Sequence, residues 1–216
     1  MIIWKEGEYI TYYLGNPSIN CHIDAVHSIN PKKDINTKEL VIEIIKNTNC
    51  SGIYASISRT KMDLNRQINK TNKPAIIEYR KVIYSILNHL RIIDKNHNLT
   101  RLYLHLALHG MKDNAFKEIE VGTRNNETCS DEIFIWFRKK LEEISREVFK
   151  RDLKIVYNVK LKGNSSKVVH RNKYGTLFNT FQIEISKTLR TKYFGDVVGV
   201  FTRIITDFSQ EINLGV

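Results

Sequence analysis

Residues 101–108 read RLYLHLAL, the most strand-like run in the chain, and no charged residue follows Arg101 until the segment ends in His109 and Gly110. A strand this apolar lies in the middle of a sheet with both faces covered, so the chain must also supply helices to cover them. Candidates are present. Asn36, with Glu39 at the capping-box position, precedes Leu40, Val41, Ile44 and Ile45 on one helical face. Pro74 suits the first turn of a helix running to about Ile93, with Ile76, Ile77, Val82, Ile83, Ile86, Leu87 and Leu90 as its buried stripe. Ser130 caps a long helix carrying Ile133, Phe134, Phe137, Leu141, Ile144 and Val148, and a last helix spans about 195–209. Further strands are expected at 2–14, 20–26, 52–57, 118–122, 153–161 and 180–186, and a Gly/Ser/Lys-rich loop at 162–174. The pattern predicts an α/β fold, a mixed central sheet sandwiched between helices.

At 216 residues this is read as a single domain spanning 1–216. Cys21, Cys50 and Cys129 lack CxxC spacing and are an odd set, so a disulfide scaffold is excluded and a reducing, cytoplasmic setting is expected. The opening MIIWKEGEYI is charged by its fifth residue, and no window approaches about 18 uncharged apolar residues, so no membrane association is expected. Thirty-four Lys+Arg against 23 Asp+Glu leave a net charge of +11, which raises nucleic acid as a partner. The cations are interspersed with acids, as in Arg138-Lys139-Lys140 before Glu142 and Glu143, which reads as a mixed solvated face. A basic protein also attracts a carboxylate substrate.

His27, His109 and Glu184 each lie at or near the end of a strand and have no evident structural role there. Sites in open α/β sheets form outside the carboxyl ends of strands, where these residues can converge. Two neutral imidazoles and a carboxylate suit Zn²⁺ with one position open to water. Asp34 is the first choice for the carboxylate and Glu39 the reserve, although Asp34 also fits a helix-start role. Histidines at strand ends equally serve as hydrogen-bonded core residues, and His22, His89, His97, His105 and His170 have no stronger local case. His105 and His109 project to one side of a strand without helical HxxxH geometry, which excludes a zincin motif. The string SRTKMDLNR at 58–66 offers two arginines with an Asp and an Asn between them. It fits a carboxylate-binding fork or a surface Arg–Asp pair.

Taken in order, these strings resemble the N-formylglutamate amidohydrolase family. SRTKMDLNR is similar to its SR…DLNR signature, LHGM at 108–111 and EIEVGT at 118–123 to its HG and GT segments, and NTFQIEIS at 179–186, with Leu189-Arg190, to its QxE string. AVHS at 25–28 with DINT at 34–37 resembles its first metal-binding segment. The resemblance implies a zinc carboxypeptidase-like hydrolase fold and cleavage of an amide in a carboxylate-bearing substrate such as an N-formyl or N-acyl amino acid. It further implies one divalent metal, with zinc the first choice, held by His27, His109 and an acidic residue near Asp34, with Glu184 as general base. Asn65 and Arg66 bind the substrate carboxylate in this reading, and Arg59 and Arg171 are further anion contacts. Two departures stand out. Leu106, Ala107 and Leu108 occupy the place where the family carries an acid before its second metal histidine, and His27 is not followed by a tight HxxE. A non-catalytic relative and a basic nucleic-acid-binding protein are the alternative functional readings.

Overall fold

The computed structural model describes residues 2–161 and 171–211, the side chains of residues 171 and 172 excepted. Its strands are β1 (Lys5–Glu6), β2 (Ile10–Tyr13), β3 (Cys21–Ala25), β4 (Ser51–Ala55), β5 (Tyr103–Met111), β6 (Ile119–Gly122), β7 (Ile155–Tyr157) and β8 (Phe178–Ser186). The helices are α1 (Thr37–Thr48), α2 (Lys73–His89), α3 (Asp131–Phe149), α4 (Arg171–Tyr174), α5 (Lys187–Thr191) and α6 (Phe194–Glu211). The strands form one mixed sheet in the order β1-β2-β4-β3-β5-β8-β6-β7. β4, β3, β5 and β8 run parallel at its centre, while β2 and β6 pair antiparallel on either side. The leucine-rich run is therefore interior, as its composition requires.

Period-two alternation decides what each face receives. Leu104, Leu106 and Leu108 of β5 pack with Phe181, Ile183 and Ile185 of β8 and Ile23 of β3 against Ile44 of α1, Phe137 of α3 and Phe201 of α6. The rings of Phe137 and Phe181 stack with centroids 4.1 Å apart. On the opposite face, Tyr103 and Phe178 pack with Ile76, Tyr79, Ile83 and Ile86 of α2. Helices α1 and α2 thus cover opposite sides, and the chain leaves β3 for β4 on one flank and returns as β5 on the other. That reversal opens a crevice at the carboxyl ends of β3 and β5. Among the described residues no helix is long and apolar enough to cross a membrane.

Local details differ from the sequence reading. The expected strand at 2–14 is two strands, because Gly7 turns the chain and its N–H donates to the Ile10 carbonyl at 2.8 Å. A Cβ at Gly7 would stand 2.1 Å from Glu78 Oε1, the carboxylate that accepts the Tyr9 and Ile10 N–H groups. Helix α2 stops at His89 rather than near Ile93, and Arg91 just beyond it takes a left-handed φ of 56°. Only Ile155–Tyr157 of the 153–161 segment pairs, since Asn158 adopts φ 54° and turns its Oδ1 to accept the Thr123 N–H at 2.7 Å. Asn36 does not cap α1 through its side chain; that amide donates instead to the Arg190 carbonyl. Ser130 caps α3 by accepting the Ile133 N–H. Most of the expected 162–174 loop lies outside the described residues.

Candidate metal centre and substrate cavity

His27 follows the end of β3 by two residues, and His109 and Glu184 are direct register partners on β5 and β8. Their strands are parallel and adjacent, so residues 82 and 75 positions apart in sequence face one crevice. The Nδ1 atoms of His27 and His109 stand 3.2 Å apart, and Asp34 Oδ2 lies 3.4 Å from the first and 3.6 Å from the second. Three ligands at the ordinary zinc distances of about 2.0–2.2 Å in a tetrahedron are separated by roughly 3.3–3.6 Å. The donor set therefore fits one divalent cation in composition and in spacing. All three residues are buried. Asp34, and not the exposed Glu39, faces the histidines.

The surroundings fix these atoms. Asp34 Oδ2 accepts the Gly110 N–H at 3.0 Å, and Arg59 approaches Asp34 Oδ1 at 3.3 Å and His27 Nδ1 at 2.9 Å. The Arg190 guanidinium, buried beneath, donates to the carbonyls of Ile35, Met111 and Ile185, one beside each of the segments that carry Asp34, His109 and Glu184. Burial raises the Asp34 carboxyl, but the two histidines outweigh it and hold the group well below the usual carboxylate range. For His109, burial disfavours the cation, yet the Asp34 hydrogen bond and the charges of Glu184 and Asp34 prevail and raise its pKa.

Asp63 is a residue of the candidate site that sequence reasoning misses. Its Oδ1 meets His27 Nε2 at 2.9 Å and accepts the Asn65 N–H at 2.9 Å, while Oδ2 accepts from Arg66 Nε at 3.3 Å. A carboxylate on the far nitrogen of a ligating histidine sets the ring's orientation and tautomer. The Arg–Asp pair expected as the alternative to a fork is present, and the same carboxylate reaches His27. Burial pushes Asp63 upward, but His27, the Asn65 amide and Arg66 hold it below its ordinary value.

A cavity of about 670 Å³ opens over this group, lined by His27, Asp34, His109, Glu184, Arg59, Asn65, Arg66 and Lys160 among others. Glu184 is buried, and Gln182 Nε2 donates to its Oε1 at 3.0 Å. On the neighbouring strand Glu120, opposite Glu184, accepts the N–H groups of Lys160 and Leu161 and the Lys117 ammonium, anchoring the wall that Lys160 and Leu161 form. The Arg171 side chain lies outside the described residues. Deeper on the same sheet face, His22, Asp24 and His105 form a second buried group, which no local pattern in the sequence singles out. The His22 and His105 rings stack 4.0 Å apart at 6°, so their in-plane lone pairs do not converge on one ion.

The mixed sheet with its flanking helices is a zinc carboxypeptidase-like fold. Among solved structures, the chain is similar to N-formylglutamate amidohydrolase from Ralstonia eutropha JMP134, at 15% identity and a TM-score of 0.69 over 96% of this chain and 99% of that one. A bacteriophage poly-gamma-glutamate hydrolase matches at 14% identity and a TM-score of 0.51, over 94% and 91% of the two chains. A metallo-carboxypeptidase from Burkholderia cenocepacia matches at 10% identity and 0.53, over 97% of this chain and 65% of that one. No family model and no curated protein sequence matches.

Proposed function

We propose that this chain is a metal-dependent amidohydrolase, acting within a single domain on an amide of a carboxylate-bearing substrate such as an N-formyl or N-acyl amino acid. The observation that carries the reading is the convergence of His27 Nδ1, His109 Nδ1 and Asp34 Oδ2 at 3.2–3.6 Å beneath an open cavity. Two nitrogens and a carboxylate oxygen suit zinc. A cation held there supplies Lewis acidity, polarising a carbonyl and easing the loss of a proton from water. Glu184, the register neighbour of His109, takes that proton and returns it to the leaving nitrogen. Gln182 holds the Glu184 carboxylate in place through Oε1. Asn65 and Arg66, both tied to Asp63, receive the substrate's carboxylate on the cavity wall, and Arg59 adds positive charge. The likeness in fold to amide- and peptide-cleaving enzymes agrees with this assignment.

Elemental analysis and turnover of N-formyl and N-acyl amino acids test it together. About one zinc per chain is expected in the wild type. Glu184→Gln keeps the metal and loses about 10²–10⁴-fold in kcat, whereas His109→Ala loses both. Equal metal content in wild type and His109→Ala would remove the ligand assignment.

A further inference from the structure

The two histidines of the candidate centre are held unequally. His27 Nε2 meets Asp63 at 2.9 Å, whereas the polar contacts of the His109 ring run through Nδ1, to His27 and Asp34. No carboxylate among the described residues lies within ion-pair distance of His109 Nε2. With the Nδ1 lone pair turned to a cation, a neutral imidazole carries its proton on Nε2, and that N–H is a donor. A buried donor without an acceptor is costly, and His109 is buried.

A small pocket of about 20 Å³ lies beside the ring, lined by Asp24, His105, Ala107, His109, Thr180 and Gln182 among others. That volume holds about one water molecule. The sheet register explains the space. Asp24 on β3 and Gln182 on β8 flank Ala107 of β5, and His109 projects from the same face two residues further on. A single methyl group at 107 leaves room among these three polar side chains, whereas Leu106 and Leu108 face the opposite core.

Two of the three offer acceptors. Asp24 is fully buried, and its Oδ2 accepts from the Tyr79 hydroxyl and meets His105 Nε2 at 2.9 Å. Its Oδ1 is buried with no partner among the described residues. Gln182 Nε2 donates to Glu184, which leaves Oε1 as the acceptor of that amide. Buried waters make about three hydrogen bonds to polar groups that otherwise lack partners. One donor and two acceptors around a space for one water match that requirement. Against the burial that lowers the His109 pKa, the Asp24 charge acts with Asp34 and Glu184 to raise it, so this carboxylate is felt at the ring.

We propose that the pocket is a buried water site and that, through this water, Asp24 is the positioning residue for His109: the water receives the His109 Nε2–H and donates to Asp24 Oδ1 and Gln182 Oε1. Asp24 thereby does for His109 what Asp63 does for His27, with one molecule of solvent between carboxylate and ring. The same water steadies Gln182, whose amide nitrogen holds Glu184, so the proposed ligand and the proposed general base share an anchor. The role given to the ring rests on the hydrolase reading, and the water site itself does not.

A high-resolution crystal structure of the wild-type protein decides the site. One water is expected within about 2.7–3.2 Å of both His109 Nε2 and Asp24 Oδ1. A pocket without it, or a water bonded to only one of the two, overturns the proposal whether or not the protein binds zinc. Zinc competition against a chromophoric chelator reads the role. Asp24→Asn keeps an oxygen for Tyr79 and His105 and removes the charge, while Ala107→Val fills the space and expels the water. Each is expected to lower zinc affinity about tenfold, the low end of the range for a partner behind a ligating histidine. Because both act through one water, Asp24→Asn adds about twofold or less in the Ala107→Val background. A tenfold effect persisting in that background means that the charge acts through space and overturns the bridge, as does either single variant binding zinc within about twofold of wild type. Urea unfolding of the metal-free proteins checks that each variant is folded; where Asp24→Asn is not, Ala107→Val and the crystal structure carry the test. A wild type that binds no zinc counts against the hydrolase reading, and the crystallographic result still decides the water.

Discussion

Replacing Asp63 with alanine separates the metal centre from its support without touching a ligand. Three contacts are lost together: His27 Nε2 at 2.9 Å, the Asn65 N–H at 2.9 Å and Arg66 Nε at 3.3 Å. The Arg66 contribution is small, because its side chain is 73% exposed. The His27 contact matters most, since the ring is buried and Asp63 holds its Nε2 from behind while Nδ1 faces His109 and Asp34. Removing such a partner lowers metal affinity by about 10–100-fold, or ~1.4–2.8 kcal/mol. Competition for zinc against a chromophoric chelator reads this directly, with Asp63→Asn expected between alanine and wild type because it retains an acceptor and loses the charge. Urea unfolding of the metal-free proteins checks that the fold survives, with a loss of about 1–3 kcal/mol for a partly solvated hydrogen-bonded carboxylate. Asp63→Ala binding zinc within about twofold of wild type would refute the idea that this carboxylate orients His27.

Two further outcomes are expected. Gly110→Ala places a Cβ 2.5 Å from Arg190 Cζ, and relieving that overlap is expected to cost about 1–3 kcal/mol, measured by urea unfolding. Glu120 lies below its ordinary value of 4.5 because Lys117 and the amides of Leu161 and Lys160 outweigh its burial. A depressed carboxylate contributes stability above its unfolded pKa and loses it as the pH falls through the folded one. The wild type should therefore lose stability as the pH falls below about 4.5 more steeply than Glu120→Gln, and parallel acid limbs would remove Glu120 from that role.

The sheet was legible in the sequence because its signals are local. The apolar run of β5, the alternation in β8, the Ser130 cap and the Pro74 start each depend on a few adjacent residues. His27, Asp34 and His109 stand out as polar residues at strand ends, although only the strand order brings them to one crevice. Asp63 is visible in DLNR, but nothing local tells an Arg–Asp pair from a carboxylate that also reaches a histidine 36 positions away. The pairing of Asp24 with His105 spans 81 positions and is out of reach for the same reason. Its trace is nonetheless present: His22, Asp24, His105 and Thr180 are polar residues on strands too buried to be half-solvated.

The buried guanidinium of Arg190 has a consequence for how the proposed centre would receive an ion. It tethers the Asp34 loop and the tips of β5 and β8 to one interior cation, so the proposed ligand atoms are held together by the fold itself. Under the proposed function, a chelator is expected to end turnover and leave the fold intact, unlike small domains whose ligands find one another only through the metal.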